Sequence, residues 1–520
     1  MSNPDPSVKS HALALEVIGM SKSFGSFAAL VDVSLRIPAG TFHALLGENG
    51  AGKTTLVKCL VGYHQPDSGQ LIVDQKEQVI ASPQDANRLG IGMVYQHFTL
   101  VPSMTAAENL VMSRLDVPAH IRWKEENAKL EEFMQTVPFR IPLHVPVSRL
   151  AAGEKQKLEI LKQLYLKRRL MILDEPTSVL TADEADEVLG MLKAMTKRRE
   201  ITVLMITHKF REVLAFADST TILRRGRLAG GGLVADLDVA RMAEMMVGSA
   251  IDMNARAQKQ QRSPDSVPPI LIISNLCVED ESGRLAVDDV SLSVSPGEIV
   301  GVAGVSGNGQ RPFIEALIGQ RSARSGKVTV KGDDYRSLRS QIAMLGVFSL
   351  PEEPLKNACV GRLSVAQNMA LRTFDRSPLA LGPWVKHKAI ERQALAWIEN
   401  FKVKTQGPHA AISTLSGGNV QRAVLARELS APLSLLIAVN PVFGLDFAAV
   451  REIHERILVA RNNGAAVLLV SEDLDELLEL SDRIVVMSEG KLVYETPTDA
   501  ADQRVIGRFM AGHADEAVAS

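Results

Sequence analysis

The sequence has few cysteines, no long apolar run and almost no net charge, and each shortage argues against a class of protein. Its three cysteines, Cys59, Cys277 and Cys359, are widely separated and show no metal-ligand spacing, which fits a reducing cytosol. No run of about 18 apolar residues occurs, so we expect no transmembrane helix. The polar N-terminus lacks the apolar core of a signal peptide. With a formal net charge of −2, the chain as a whole attracts neither nucleic acid nor an anionic membrane.

The size and composition indicate a multidomain globular protein. The chain has 520 residues, which is too long for a single hydrophobic core. Hydrophobic residues make up 46% and charged residues 23%, as in ordinary globular proteins. We therefore expect at least two domains.

The most informative stretch is GENGAGKT at residues 47–54, which fits the phosphate-loop pattern G-x-x-x-x-G-K-[S/T] at every defined position. A mostly apolar segment at 41–46 predicts a buried strand before it, and apolar residues at helical spacing follow at 55–61. Glycines let backbone N–H groups approach phosphate oxygens, while Lys53 can reach the β- and γ-phosphates and Thr54 can bind Mg²⁺. The predicted nucleotide-binding residues are Gly47, Glu48, Asn49, Gly50, Ala51, Gly52, Lys53, Thr54 and Thr55.

The same series of features occurs twice in the chain. The segment VSL at 33–35 recurs at 290–292, and the glycine loop at 47–54 recurs at 304–311, both 257 residues later. Later features recur in the same order at offsets of 264 or 265 residues. A constant order with small insertions indicates a tandem duplication of a whole domain, rather than a solenoid of short repeats.

The duplication and the composition of the segment between the copies predict the domain boundaries. We predict a first domain over 1–253, a surface linker rich in Gln, Arg, Ser and Pro over 254–269, and a second domain over 270–520. Each copy alternates strand-like and helix-like segments, which favours an α/β domain with a largely parallel sheet. Charged helical patterning over 106–150 predicts an inserted helical subdomain.

These motifs make both halves resemble the ATP-binding domain of ABC transporters, over essentially the whole chain. In the first half, LMILDEPT at 170–177 resembles the Walker B strand. The resemblance implies that Asp174 holds Mg²⁺ and that Glu175 polarises the attacking water. It also implies two tandem P-loop ATPase domains, each with a mainly parallel sheet, an antiparallel β portion and a helical subdomain, and it implies ATP and Mg²⁺ as ligands.

Three further first-half residues match positions of this family. Gln96 resembles the Q-loop glutamine, which senses Mg²⁺ and the γ-phosphate and couples them to the transmembrane partner. His208, in the segment ITHK, resembles the switch histidine that contacts the γ-phosphate. Phe24 matches the aromatic residue on which adenine stacks. The resemblance therefore implies catalytic roles for Gln96 and His208 beside Glu175, with Gln96 also near the metal.

The second half departs from the pattern at each chemical position. Gln310 replaces the loop lysine, Arg311 replaces the metal-binding hydroxyl, Val439 and Asn440 replace the Walker B pair, and Glu472 replaces the switch histidine. Losing a general base costs roughly 10²- to 10⁴-fold in rate, and losing metal ligands removes further charge stabilisation. We expect no hydrolysis here. Nucleotide binding stays open, since the glycines remain and Arg311 offers a positive charge.

The signature motif shows the opposite distribution. The second half has LSGGN at 415–419, close to the family's LSGGQ, whereas the first half has LAAGE at 150–154. In this family two domains pair head-to-tail, so Ser416, Gly417 and Gly418 are expected to face the γ-phosphate of ATP held by the first-half loop. The intact phosphate loop of the first half then combines with the intact signature of the second half, which predicts one complete ATP site in the chain.

Tandem halves, a Gln-substituted second loop and SVLT at 178–181 resemble ATPase subunits of monosaccharide and nucleoside importers, and QHFTLV at 96–101 favours the nucleoside branch. The implied partners are two transmembrane permease subunits and an extracytoplasmic solute-binding protein, with no nucleic acid. The implied location is peripheral, at the cytoplasmic face of the membrane. The sequence does not specify the cargo.

Two other classes of protein also have two ATP-binding halves or lack transport activity, and the sequence argues against both. One is a soluble tandem ABC ATPase acting on ribosomes or nucleic acid, but those proteins usually keep two intact sites and a long charged linker, and this chain is not basic. The other is a non-hydrolysing scaffold, against which the complete first-half motifs argue. The importer remains the favoured interpretation.

Overall fold

The computed structural model describes residues 12–25, 27–96, 98–114, 116–118, 120–207, 209–248, 259–260, 267–305, 307–430, 433–442, 445 and 447–510. The chain divides into two compact units, Met1–Asn254 and Ala255–Ser520. Of the predicted linker, Lys259 and Gln260 are held by the second unit, through hydrogen bonds from Lys259 Nζ to Ser481 O at 2.6 Å and from an Arg461 guanidinium nitrogen to Gln260 O at 2.7 Å. Within these described ranges, no helix is long and apolar enough to cross a bilayer.

The first unit contains two sheets. Its strands are β1 (Leu15–Phe24), β2 (Phe27–Ile37), β3 (Phe42–Gly47), β4 (Ser68–Val73), β5 (Lys76–Glu77), β6 (Ile91–Val94), β7 (Leu170–Asp174), β8 (Thr202–Ile206), β9 (Ser219–Arg224) and β10 (Arg227–Leu233). The larger sheet has the order β10-β9-β3-β8-β7-β6, and all its pairs are parallel except β9–β10. The smaller sheet, β2-β1-β4-β5, is antiparallel.

Helices cover the larger sheet and form a subdomain beside it. They are α1 (Lys53–Leu60), α2 (Pro83–Leu89), α3 (Ala106–Met112), α4 (Trp123–Met134), α5 (Ala152–Tyr165), α6 (Ala182–Lys197), α7 (Phe210–Phe216) and α8 (Val239–Val247). Strands β3 and β8 are buried along their whole length, and β7 is buried except at its last residue. Different residues of these strands belong to two apolar clusters. One cluster includes residues of α1, and the other includes residues of α3 to α6. Continuous apolar runs are what a parallel sheet covered on both faces requires.

The second unit repeats this architecture. Its strands are β11 (Leu271–Glu279), β12 (Leu285–Val294), β13 (Ile299–Ala303), β14 (Ser325–Val330), β15 (Asp333–Asp334), β16 (Val347–Leu350), β17 (Ala380–Leu381), β18 (Trp384–Val385), β19 (Leu435–Val439), β20 (Ala466–Ser471), β21 (Arg483–Ser488) and β22 (Lys491–Pro497). The sheet orders are β16-β19-β20-β13-β21-β22, β12-β11-β14-β15 and β17-β18. In the first of these, only β21–β22 is antiparallel.

The helices of the second unit follow the same plan. They are α9 (Gln310–Leu317), α10 (Arg339–Leu345), α11 (Pro354–Asn357), α12 (Val365–Ala370), α13 (His387–Asn400), α14 (Gly417–Leu429), α15 (Phe447–Asn462), α16 (Leu474–Leu480) and α17 (Gln503–Met510). Each unit thus has a mainly parallel sheet, an antiparallel β portion and a helical subdomain, which confirms the predicted fold class.

The parallel strands determine where the motifs meet. In the first unit β3, β8, β7 and β6 are consecutive in the sheet and run in one direction. Their carboxyl ends therefore lie along one edge of the sheet. The phosphate loop follows β3, and Gln96 follows β6. Asp174 ends β7 and Glu175 comes directly after it, while in sequence His208 follows β8. Ligands bind at this edge in open α/β sheets.

Candidate active site

The predicted phosphate loop of the first unit joins the end of β3 to the start of α1. Gly47 and Gly52 have φ values of 151° and 102°. A Cβ atom on Gly47 would lie 2.5 Å from Leu223 O, and one on Gly52 would lie 2.8 Å from Ala29 O, so both positions require glycine. The loop is held close to the neighbouring backbone, and α1 begins directly after it at Lys53. The N-terminal end of a helix favours an anion.

The side chain of Lys53 folds back over this loop. Its Nζ donates to Gly47 O at 2.6 Å and to Glu48 O at 3.0 Å. The N–H of Ala51 donates to Glu48 O at 3.0 Å and closes the turn. The lysine charge is therefore held at the loop, where the predicted phosphates would lie. Thr54 is exposed at the start of the helix.

The predicted Walker B pair lies at a sharp bend after β7. Asp174 is the last residue of this strand, and Glu175 adopts φ 50°, in the left-handed region that non-glycine residues seldom occupy. The N–H of Glu175 donates to Ile206 O at 2.9 Å, which ties the bend to β8. Gln96 Nε2 donates to Glu175 Oε2 at 3.2 Å. The structure thus brings together two of the three predicted catalytic side chains, while the third, His208, lies outside the described residues.

The donors at this edge fit a hard divalent cation. Mg²⁺ prefers oxygen ligands, and the hydroxyl of Thr54, the carboxylate of Asp174 and the amide oxygen of Gln96 are of that kind. Across the part of the chain that the structure describes, no group of three or more His, Cys, Asp or Glu side chains could hold a metal by itself. A metal here would therefore complete its coordination with oxygen atoms of a phosphate or of water.

The predicted adenine platform is an exposed ring at the end of β1. Phe24 is 45% exposed, and its ring makes an edge contact with the His64 ring at 5.1 Å between centroids. Lys22 Nζ lies 5.7 Å from the ring centroid and 2.7 Å from Asp67 Oδ1. The hydrogen bond from Lys22 lowers the pKa of the Asp67 carboxyl. An aromatic face with a fixed cation beside it suits a flat, electron-rich base.

The two signature segments differ at their helix N-termini. In the second unit Ser416 precedes the first residue of α14, is exposed, and accepts from Asn419 Nδ2 at 2.8 Å. In the first unit Ala151 precedes α5, and its N–H donates to the Glu154 carboxylate at 2.8 Å. A carboxylate at a helix N-terminus satisfies the end that a phosphate would otherwise use. The segment with Ser416, Gly417 and Gly418 is therefore the better anion partner of the two.

The degenerate loop of the second unit keeps the fold of the first but not its charge. Gln310 Nε2 donates to Val305 O at 3.2 Å, as Lys53 does at the equivalent Glu48 O. Arg311 Nε lies 2.8 Å from Glu315 Oε1, and this hydrogen bond raises the pKa of Arg311. The positive charge expected of Arg311 is thus paired with a carboxylate.

A cavity of about 320 Å³ lies beside this loop, with Asn440 and Glu472 in its lining. The N–H of Glu472 donates to Asn440 Oδ1 at 3.0 Å. Four glutamates and two cations line the cavity: Glu315, Glu352, Glu353, Glu472, Arg311 and Lys356. This excess of negative charge opposes a triphosphate, in contrast to the lysine-bearing loop of the first unit.

Sequence reasoning missed one group of residues near this edge of the first-unit sheet. Thr177 and Thr207 both donate hydrogen bonds to the buried carboxylate of Glu212. Sequence holds a signal for it, because a glutamate recurs 264 residues later as Glu476. The roles of the site residues that the sequence did predict, of which Phe24 is the first and Gly418 the last, stay predictions.

Comparisons with known proteins identify the family. The ABC transporter family model matches residues 30–178 and 287–442, one region in each half. The chain is 37% identical to the glucose import ATP-binding protein TsgD13 of Haloferax volcanii, with 96% of each chain covered. It is 35% identical to the nucleoside import ATP-binding protein NupA of Lactococcus lactis subsp. cremoris, over 96% of this chain and 98% of that protein.

A solved structure supports the fold over nearly the whole chain. The structure described as a complex of the archaeal ribosomal stalk protein aP1 and the ribosome recycling factor aABCE1 matches 95% of this chain and 92% of its own, with a TM-score of 0.63. At 17% identity this likeness shows the fold alone. The family match and the relatives confirm the predicted class of enzyme, an ABC-type transport ATPase. The chain therefore belongs to the ABC transporter family and carries two copies of its ATP-binding domain in tandem.

Proposed function

We propose that this chain hydrolyses ATP to energise the import of a small polar solute, a nucleoside or a simple sugar, through two separate permease subunits. One observation carries the proposal: over 96% of its length the chain is 35–37% identical to two proteins named as import ATP-binding proteins. An extracytoplasmic solute-binding protein would deliver the cargo, and the chain would lie peripherally at the cytoplasmic face of the membrane. The two relatives carry different cargo names, so the cargo is a matter for experiment.

The first unit would perform the chemistry. The loop 47–54 would hold the triphosphate, with Lys53 opposing its charge. When bound by Thr54, Asp174 and Gln96, Mg²⁺ would neutralise charge on the β- and γ-phosphates. Glu175 would accept a hydrogen bond from the attacking water, and Gln96, which is bonded to Glu175 in the structure, would keep that carboxylate oriented. The adenine ring would stack on Phe24.

The second unit would complete the site without hydrolysing ATP itself. Ser416 and the N–H groups of Gly417 and Gly418 would donate to the γ-phosphate held by the first-half loop, in the head-to-tail arrangement that the family resemblance implies. Two observations support this choice of partner. First, the second-unit signature offers a hydroxyl, whereas the first-unit segment offers the Glu154 carboxylate. Second, the second-unit loop pairs its Arg311 with Glu315.

The permeases would sense nucleotide through the segments that follow β6 and β16. Gln96 follows β6 and contacts Glu175, so a change at the γ-phosphate would move this segment. Its counterpart is 351–354 in the second unit, where Glu352 and Glu353 line the cavity beside the degenerate loop. Coupling through these two segments is part of the proposal.

The test is to purify the tagged chain from detergent-solubilised membranes of the cells in which it naturally occurs. We expect two permease subunits to copurify and ATP hydrolysis to accompany uptake of a labelled nucleoside or sugar in proteoliposomes. Copurification with ribosomes instead of permeases would overturn the importer proposal in favour of a soluble tandem ATPase. A purified complex that binds ATP but never hydrolyses it would favour a scaffold.

A further inference from the structure

Glu212 is a buried acidic residue that the proposed mechanism leaves without a role. It lies in the first turn of α7 and is 2% exposed. Thr207 Oγ1 donates to its Oε2 at 2.9 Å, and Thr177 Oγ1 donates to its Oε1. A buried carboxylate is costly unless its oxygens are hydrogen-bonded, and here each oxygen accepts from a different hydroxyl. We name Thr177, Thr207 and Glu212 together the Glu212 network.

The two hydroxyls come from the two segments that carry the predicted catalysis. Thr177 follows Asp174 and Glu175 after β7, with only Pro176 between, and Thr207 directly precedes His208 after β8. The N–H of Lys209 donates to Thr207 Oγ1 at 3.1 Å, and Lys209 Nζ donates to Thr177 O at 3.4 Å. One carboxylate therefore links the two segments that follow the neighbouring strands β7 and β8.

The second unit lacks this link although it keeps the glutamate. Ser471, the equivalent of Thr207, donates to Glu476 Oε2 at 2.7 Å. The other oxygen of Glu476 lies 3.1 Å from His454 Nε2, on α15, because the equivalent of Thr177 is Val442. Glu476 thus joins β20 to a helix, whereas the segments after β19 and β20 are joined through Asn440, whose Oδ1 accepts from the N–H of Glu472 at 3.0 Å. The carboxylate link is present where the predicted catalytic residues are present and is missing where they have been replaced.

We propose that Glu212 is a positioning residue for ATP hydrolysis, acting through Thr177 and Thr207 to hold the two catalytic segments at a fixed separation. The proposal rests on the proposed ATPase function of the first unit. Displacing a reacting group by about 1 Å can cost on the order of 100-fold in rate. Glu212 itself is buried and is bonded to the two threonines, so we expect its loss to slow turnover and to leave ATP affinity nearly unchanged.

The test compares Thr177→Val with Thr177→Ser in the full-length chain. Valine is the residue at the equivalent position of the second unit and nearly matches threonine in shape, but it cannot donate a hydrogen bond. We expect kcat for ATP hydrolysis to fall roughly 10- to 100-fold in Thr177→Val, with KM for ATP changed less than about threefold. Thr177→Ser keeps the hydroxyl and should restore kcat to within about threefold of the unmodified chain. Glu212→Gln, which keeps size but loses one acceptor oxygen, should resemble Thr177→Val.

The matched control is Ser471→Ala, which removes the equivalent hydroxyl from the second unit and should leave kcat within about twofold. Full kcat in Thr177→Val would overturn the proposal, whether or not KM rises, and so would an equal loss of kcat in Ser471→Ala. An equal loss of kcat in Thr177→Ser and Thr177→Val would also refute a role for the hydrogen bond. Circular dichroism and thermal melting of each variant show whether it is folded. The proposed function fails separately, if the unmodified chain does not hydrolyse ATP.

Discussion

Raising the pH from 6 to 9 should weaken the second unit, because a buried histidine there loses its proton. His454 lies on α15 and is 7% exposed. Its Nε2 lies 3.1 Å from Glu476 Oε1, and its Nδ1 lies 3.7 Å from Glu479 Oε2. Burial lowers the pKa of His454, but the hydrogen bonds and charges of the two carboxylates outweigh it and raise the pKa to about 9.

The expected loss follows from the difference between folded and unfolded pKa values. The ordinary histidine pKa is 6.5, so the folded pKa is the higher of the two. The resulting stabilisation is complete below pH 6.5, declines as the pH rises, and is gone above about pH 9. At 1.36 kcal/mol for each pH unit, the free energy of unfolding of the second unit should fall by roughly 3 kcal/mol across this window.

Tryptophan fluorescence can follow the second unit alone. Of the three tryptophans, Trp123 belongs to the first unit, and Trp384 and Trp397 belong to the second. In a Trp123→Phe background, urea unfolding at pH 6, 7, 8 and 9 therefore reports the second unit. His454→Gln should remove most of the dependence on pH. An unfolding free energy that stays constant from pH 6 to 9, or an identical decline in His454→Gln, would refute the reasoning.

Three further predictions concern the stability of the first unit, the binding of ATP and the turnover of ATP. In the first unit, burial lowers the pKa of His43 to about 4. The free energy of unfolding of that unit should therefore decline as the pH falls from 6.5 towards 4. Urea unfolding of the full chain, followed by the fluorescence of Trp123 in a Trp384→Phe, Trp397→Phe background, can measure this decline. Lys53→Ala should weaken ATP binding roughly 10- to 100-fold by calorimetry, since charge-assisted hydrogen bonds contribute about 1.5–3 kcal/mol, whereas Gln310→Ala should have little effect. Ser416→Ala should lower kcat roughly tenfold through the loss of one donor, and Ala151→Ser should leave kcat unchanged; equal effects would contradict the head-to-tail assignment.

Local patterns were enough to predict most of the fold, and they indicated which edge of the sheet carries the candidate site. The phosphate loop depends on glycines whose φ values and close backbone contacts leave no room for a side chain, so its sequence is nearly diagnostic. The apolar run before Asp174 identifies a buried parallel strand, and its acidic end must lie at the ligand edge of the sheet. The predicted strand at 41–46 corresponds to β3, which is shifted by one residue to Phe42–Gly47.

Contacts between residues far apart in sequence were not predictable in this way. Thr177 and Glu212 are 35 residues apart, and only the pairing of β7 with β8 brings them together. A glutamate in a short amphipathic helix would ordinarily be assigned to the solvated face. Its burial depends on the two hydroxyls that reach it, and neither is marked by a sequence pattern.

The electrostatics of the second loop illustrate the same limit. From sequence, Arg311 offered a positive charge for a nucleotide. In the structure it pairs with Glu315, four residues later on α9, and three more glutamates line the adjacent cavity. The sequence contains all these residues, but which of them face the cavity depends on the path of the segments after β16 and β20.

The most direct test of a single hydrolysing centre is the rate of ATP turnover by the Glu175→Gln variant, purified with the proposed permease subunits. The change keeps the size of the side chain and the Glu175 backbone bend, and removes the proposed general base. If Glu175 is the only general base, ATP still binds with unchanged affinity while kcat falls by roughly 10²- to 10⁴-fold. A variant that retains half or more of the normal rate would show that the second unit hydrolyses ATP and would contradict a single hydrolysing centre.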